Sequence, residues 1–151
     1  IASFTGQNFG ASKFKRIKQG YYTALLLGII YSIIMSIIFI IFKEPIIRLF
    51  IKDKSTILIA SGYLQAVAFS QSFSTIEMVS NGLFTGLGMP KIPAIISIVF
   101  TILRIPMALT LMQTLGIDGV WWSIAISSIL KGVAVYSIYL IKIRRNYKDV
   151  K

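Results

Sequence analysis

Apolar residues in this chain do not alternate with polar ones, as they do in half-buried strands; they gather into long runs, and that pattern predicts spanning helices. Residues 20–42 carry no charge. Coiled as a helix at ~1.5 Å per residue they would reach ~35 Å, enough for a ~30 Å hydrocarbon core. Residues 56–87 form a second run that admits one charge, Glu77, among many Ser and Gln residues. This predicts a spanning helix with a polar inner face. A third run, 92–114, opens near Pro93 and carries Arg104 with Pro106 close by, and a fourth, 119–141, holds Lys131 near its centre. The breaks at 88–91 and 115–118 are short enough to tie antiparallel neighbours together as helical hairpins. The longer link, 43–55, contains KEPIIRLFIKDK, in which Pro45 suits a first helical turn and Ile46, Ile47, Leu49, Phe50 and Ile51 are set among Arg48 and Lys52. It reads as a short amphipathic helix lying in the membrane interface, with a solvated loop as the alternative.

Charge then orients the spans. Lys13, Lys15, Arg16 and Lys18, followed by Lys91, Lys142, Arg144, Arg145, Lys148 and Lys151, fall on one side; Lys43, Arg48, Lys52 and Lys54 fall on the other. The richer side is expected to be cytoplasmic, so that both ends of the sequence, including the tail 142–151, lie inside; the membrane itself is expected to be a bacterial plasma membrane. The composition agrees with this reading. Of 151 residues 56% are hydrophobic and 14% charged, with a net charge of +11, against about 45–50% and about 25% in ordinary soluble domains. The positive charge is accounted for by anionic lipid headgroups beside the spans. Aromatic residues are not interleaved with it on a soluble face, and no nucleic-acid partner is expected. Cysteine and histidine are both absent, which removes thiolate nucleophiles, the usual zinc sites and histidine acid–base chemistry, so no enzyme and no cofactor is expected. The sequence starts at Ile1 without a signal-peptide pattern, and it reads as an internal or C-terminal piece of a longer protein.

Ionisable groups within spans are costly, about 2.5–3.5 kcal/mol at a helix centre, and are functional candidates by default. Ser70, Ser74, Glu77 and Asn81 recur at helical spacing and form one stripe on the second run, expected to line a cavity and bind an ion or substrate. Ser97, Thr101, Arg104 and Ala108 stack likewise on the third run, and Ser127, Ser128, Lys131 and Ala134 surround the amine on the fourth. Counting from the turns sets all three charges near mid-membrane, so Arg104 and Lys131 are candidate charge partners of Glu77, either in transport or in a purely structural pairing. Gly28, Ser32 and Ser36, and also Gly82 and Gly86, repeat at four-residue spacing, as faces that permit close helix approach. Pro106 frees the carbonyl of Ile102 and favours a kink.

Three stretches, GQNFGASKFKRIKQG at 6–20, NGLFTGLGMPKIP at 81–93 and LGIDGVWWSIAISS at 115–128, together resemble the multidrug and toxic compound extrusion (MATE) transporters. The resemblance covers the whole chain and matches the end of the C-terminal lobe, from the close of helix eight through helix twelve. It implies an all-α integral membrane protein: four transmembrane helices of a six-helix lobe, within a twelve-helix antiporter whose N-terminal lobe belongs to the same polypeptide. It further implies export of drugs or organic cations by alternating access in exchange for H+ or Na+. Many relatives carry a tenth-helix acid at the position of Ser74; this chain has Glu77 on the same face, one turn later. Polysaccharide and lipid flippases of the same superfamily, and a non-transporting membrane scaffold subunit, are the competing readings.

Overall fold

The computed structural model describes residues 1–144, all of whose regular elements are helical. A short helix α1 (Ala2–Gly10) precedes α2 (Phe14–Ile41), a single-turn α3 (Lys43–Arg48), then α4 (Lys54–Gly86), α5 (Lys91–Leu115) and α6 (Ile117–Ile138), which continues into a π-helical turn over Tyr139–Arg144. Of the tail expected at 142–151, Arg145, Lys148 and Lys151 lie outside the described residues.

Local chemistry sets the boundaries. Ser12 turns the chain with φ 56°, and the Lys13 amide donates to the Asn8 carbonyl at 2.8 Å, folding α2 back on α1. Asp53 is extended and its carboxylate accepts from the Thr56 amide at 2.8 Å, an N-cap that starts α4. Gly88 (φ 74°) and Gly116 (φ 59°) supply the left-handed turns that end α4 and α5. Pro90 and Pro93 fall at the start of α5, where a missing amide hydrogen costs nothing.

The long helices pack side by side in the order α2, α4, α6, α5, with α1 laid across the C-terminal part of α4. Gly28 lies against Thr75, Ser32 donates to Ser72 Oγ at 3.1 Å, and Ser36 donates to the Ala68 carbonyl at 2.7 Å, so the small-residue face of α2 rests on α4. Gly82 and Gly86 receive α1, and a Cβ at Gly86 would lie 2.5 Å from the Ala2 carbonyl oxygen. At the end of the bundle formed by the α1–α2 and α4–α5 turns, Ile17, Tyr21, Leu25, Leu83, Phe84, Leu87, Ile96, Val135 and Tyr139 make one buried cluster. Inside it Tyr21 and Ser80 share a 2.8 Å hydrogen bond.

Among the described residues, three helices are long and apolar enough to cross a membrane: Phe14–Ile41, Lys91–Leu115 and Ile117–Lys142. Their outer faces present large apolar side chains, among them Leu26, Leu27 and Ile30 of α2 and Ile98, Ile102 and Ile105 of α5. α4 has the length for a span, 33 residues, but its Ser, Gln and Asn content keeps it out of that set.

One expected helix is shorter than its segment, and one expected hairpin is corrected. The helix expected within 43–55 covers Lys43–Arg48, and a turn carries on to Ile51, whose amide donates to the Ile47 carbonyl at 2.9 Å, with Leu49 and Phe50 80% and 83% exposed. The chain has to leave the helix there to reach the extended Asp53 cap, while Ile47 is buried and Lys43 donates to Gln65 of α4 at 2.8 Å. The turn between α4 and α5 also does not produce a packed hairpin. Beyond the shared cluster the two helices diverge and α6 fills the space between them, with Gly132 against Phe73 of α4 and Ser127 bonded to the Phe100 carbonyl of α5.

Candidate intramembrane polar site

On α4, Ser70 is buried and returns its hydroxyl hydrogen to the Val67 carbonyl at 3.1 Å, a local bond that satisfies it without a neighbouring helix. Ser74 and Glu77 are half-buried on the same stripe. One turn beyond Glu77, the Oδ1 of Asn81 is shielded from solvent with no hydrogen-bond partner among the described residues. A shielded amide oxygen beside a carboxylate is a pair of acceptors lacking donors, which suits a cation or a protonated group.

The two cations are arranged elsewhere, in the seam between α5 and α6. Lys131 is only 8% exposed. Its ammonium donates to Thr101 Oγ1 at 3.0 Å and to Ser97 Oγ at 3.5 Å, both on α5. Arg104 reaches in the opposite direction, donating through Nη2 to Ser127 Oγ of α6 at 3.4 Å, and Ser127 passes its own hydrogen to the Phe100 carbonyl at 3.0 Å. The Nε of Arg104 is shielded and has no partner. Each helix thus places its cation among the hydroxyls of the other.

Glu77 forms no ion pair with either cation. Among the described residues the ion pair found is Arg48 with Glu44, 3.4 Å apart on the exposed surface of α3. The stripe on α4 and the α5–α6 seam are therefore two polar clusters of opposite sign with no ion pair between them, and α6 packs against both α4 and α5. Sequence reasoning noticed the small and polar neighbours of Arg104 and Lys131 but did not assign Thr101, Ser97 and Ser127 as their partners. The signal lay in the spacing: Thr101 and Ser97 are separated by one turn, as are Ser127 and Lys131, so two helices facing each other interleave hydroxyls with cations. Thr5 and Trp121, whose Oγ1 and Nε1 are also shielded without partners, carry no comparable pattern in the sequence.

The MatE family profile matches residues 1–110, which include the whole α4 stripe and Arg104. The chain belongs to the MATE family. Among similar proteins, a probable multidrug resistance protein NorM of Pasteurella multocida is 29% identical over 129 residues, covering 81% of this chain and 28% of that protein. A second NorM, from Thermotoga maritima, is 30% identical over 108 residues, 70% of this chain and 22% of its own length. The human multidrug and toxin extrusion protein 1 is 24% identical over 131 residues, 85% of this chain and 23% of that protein. The chain thus spans about a quarter of the length of these relatives. No solved structure matches it.

Proposed function

We propose that this MATE chain is part of a cation-coupled secondary antiporter that exports drugs or other amphipathic cations by alternating access. In this reading α2, α4, α5 and α6 are four spans of a C-terminal six-helix lobe, completed by the N-terminal lobe of the same polypeptide. Both ends face the cytoplasm. Glu77, with Ser70, Ser74 and Asn81, lines the cavity and holds the coupling ion, H+ or Na+, or the positive group of the substrate. The observation that carries this reading is the half-buried Glu77, without an ion pair among the described residues, one turn from the similarly unpartnered Asn81 oxygen. A carboxylate already neutralised by Arg104 would be a poor exchange site; an unpaired one is free to take a cation on one side of the membrane and release it on the other.

The test uses the full-length transporter. Glu77→Gln preserves side-chain size and removes the charge, so it is expected to reach the membrane at normal abundance with coupled efflux of a cationic dye reduced at least about tenfold. Normal abundance with undiminished efflux would overturn the assignment. Because Glu77 is not Arg104's partner, the variant should not depend on a compensating Arg104→Gln change.

A further inference from the structure

Two cations lie in the α5–α6 seam and none of the groups bonded to them is an acid: Thr101, Ser97 and Ser127 are neutral hydroxyls. A hydroxyl offers only a partial charge to an ammonium or a guanidinium, and within a hydrocarbon slab this leaves most of the cost of burying either cation uncompensated. Donors also remain in excess. Lys131 has three hydrogens and two acceptors within reach, and Arg104 has one bonded Nη2 and an Nε shielded from solvent with no acceptor.

Both cations bond within one stretch of the seam: Arg104 reaches Ser127, whose hydroxyl meets the Phe100 carbonyl, and Lys131 reaches the adjacent Thr101. Arg104 bonds to Ser127, and Ser127 stands one helical turn before Lys131 on α6, a separation of ~6 Å along the axis. An oxyanion takes charged donors at ~2.8 Å from each oxygen, so a carboxylate entering between the guanidinium and the ammonium would offer one oxygen to each. We propose that the α5–α6 seam is a carboxylate-binding subsite, with Arg104 and Lys131 as its ligands and Ser97, Thr101 and Ser127 holding the two cations in place while it is empty.

Depth decides which carboxylates can arrive. Arg104 stands about thirteen residues from the start of α5, or ~20 Å, and Lys131 a similar distance into α6, so a lipid phosphate in the headgroup layer lies beyond reach. A carboxylate on an apolar body is the class that enters such a depth, because the body favours the hydrocarbon and the anion meets two buried cations. The subsite goes beyond the proposed export of cations and does not depend on the direction or coupling of transport.

Binding of radiolabelled benzoate to the purified full-length protein, measured at equilibrium, tests this directly. Saturable binding is expected, weakened at least about tenfold in Lys131→Met and in Arg104→Gln and unchanged in Glu77→Gln. Arg104→Lys keeps the charge but loses the forked donors, so it should fold normally and bind a few-fold more weakly; it decides the matter if the neutral variants aggregate. Competition by excess acetate would assign recognition to the carboxylate alone, and its failure to carboxylate and apolar body together. Absence of saturable benzoate binding, or binding that survives both neutral substitutions and is unchanged in Arg104→Lys, overturns the proposal. Loss of cationic-dye efflux in Glu77→Gln with intact benzoate binding would separate the two sites.

Discussion

Asp53 illustrates how one exposed side chain fixes an element. Its carboxylate accepts from the Thr56 amide and hydroxyl at 2.8 and 2.7 Å and from the Ser55 hydroxyl, and these donors hold its pKa down at about 2 against an ordinary 3.8. Since the folded value is depressed, the stabilisation is fully present above about pH 3.8 and is lost as pH falls through about 2. Asp53→Ala should therefore fray the first turn of α4, seen as faster amide exchange at residues 55–57 near neutral pH. Asp53→Asn, which keeps an acceptor oxygen, should retain most of the protection and lose its pH dependence at the acid end. The cap is legible in the sequence as an Asp three residues before Thr56, at the end of a stretch whose Arg48 and Lys52 carry the stronger interfacial pattern. Intramembrane residues show the opposite balance. Their charges and helical stripes were legible, whereas their partners were not, because a bonding partner depends on which helix stands opposite and no spacing within one helix records that.

At the scale of elements, small residues determine those neighbours. Gly132 of α6 lies so close to α4 that a Cβ there would sit 2.5 Å from the Phe73 carbonyl oxygen, a fixed backbone atom that cannot yield. Gly132→Leu is expected to force α6 off α4 at a cost of about 1–3 kcal/mol, lowering the melting temperature and the yield of monodisperse full-length protein. Gly10→Ala meets nothing within 4 Å and should leave both unchanged. The four-residue repeats in α2 and in α4 disclosed close-packing faces from sequence alone, and Ser32 and Ser36 do bond to α4 across that face. The order α2, α4, α6, α5 was not legible. A short loop suggests a hairpin, yet the α4–α5 turn only brings Ile96 to the shared cluster with Leu83, Phe84 and Leu87, after which α6 separates the helices.

For the molecule as a whole, the question that hydropathy leaves open is whether α4 crosses the bilayer. Its partners α2 and α6 are apolar enough to span and α4 is not, but several of its hydroxyls are satisfied within the bundle: Ser72 by Ser32, Ser80 by Tyr21, and Ser61, Ser70 and Thr75 by carbonyls of their own helix. A helix whose hydroxyls are satisfied inside a bundle presents less polarity to lipid than its composition implies. The buried cluster also brings Phe14 and Met89 to one end of the bundle, so the turns at 11–13 and 87–90 lie at the same end. If α4 spans, those turns face one aqueous compartment and Phe50 faces the other; if it does not, Met89 lies on the side opposite Lys13. These 151 residues contain no cysteine, so single cysteines can be introduced into a cysteine-less full-length protein without background from this region. Lys13→Cys and Met89→Cys should react with a membrane-impermeant maleimide only after the cells are permeabilised, while Phe50→Cys, whose parent side chain is 83% exposed, should react in intact cells. Met89→Cys labelled from outside while Lys13→Cys stays protected would show that α4 does not cross. Lys13→Cys labelled from outside while Phe50→Cys is protected would invert the orientation drawn from the Lys and Arg distribution.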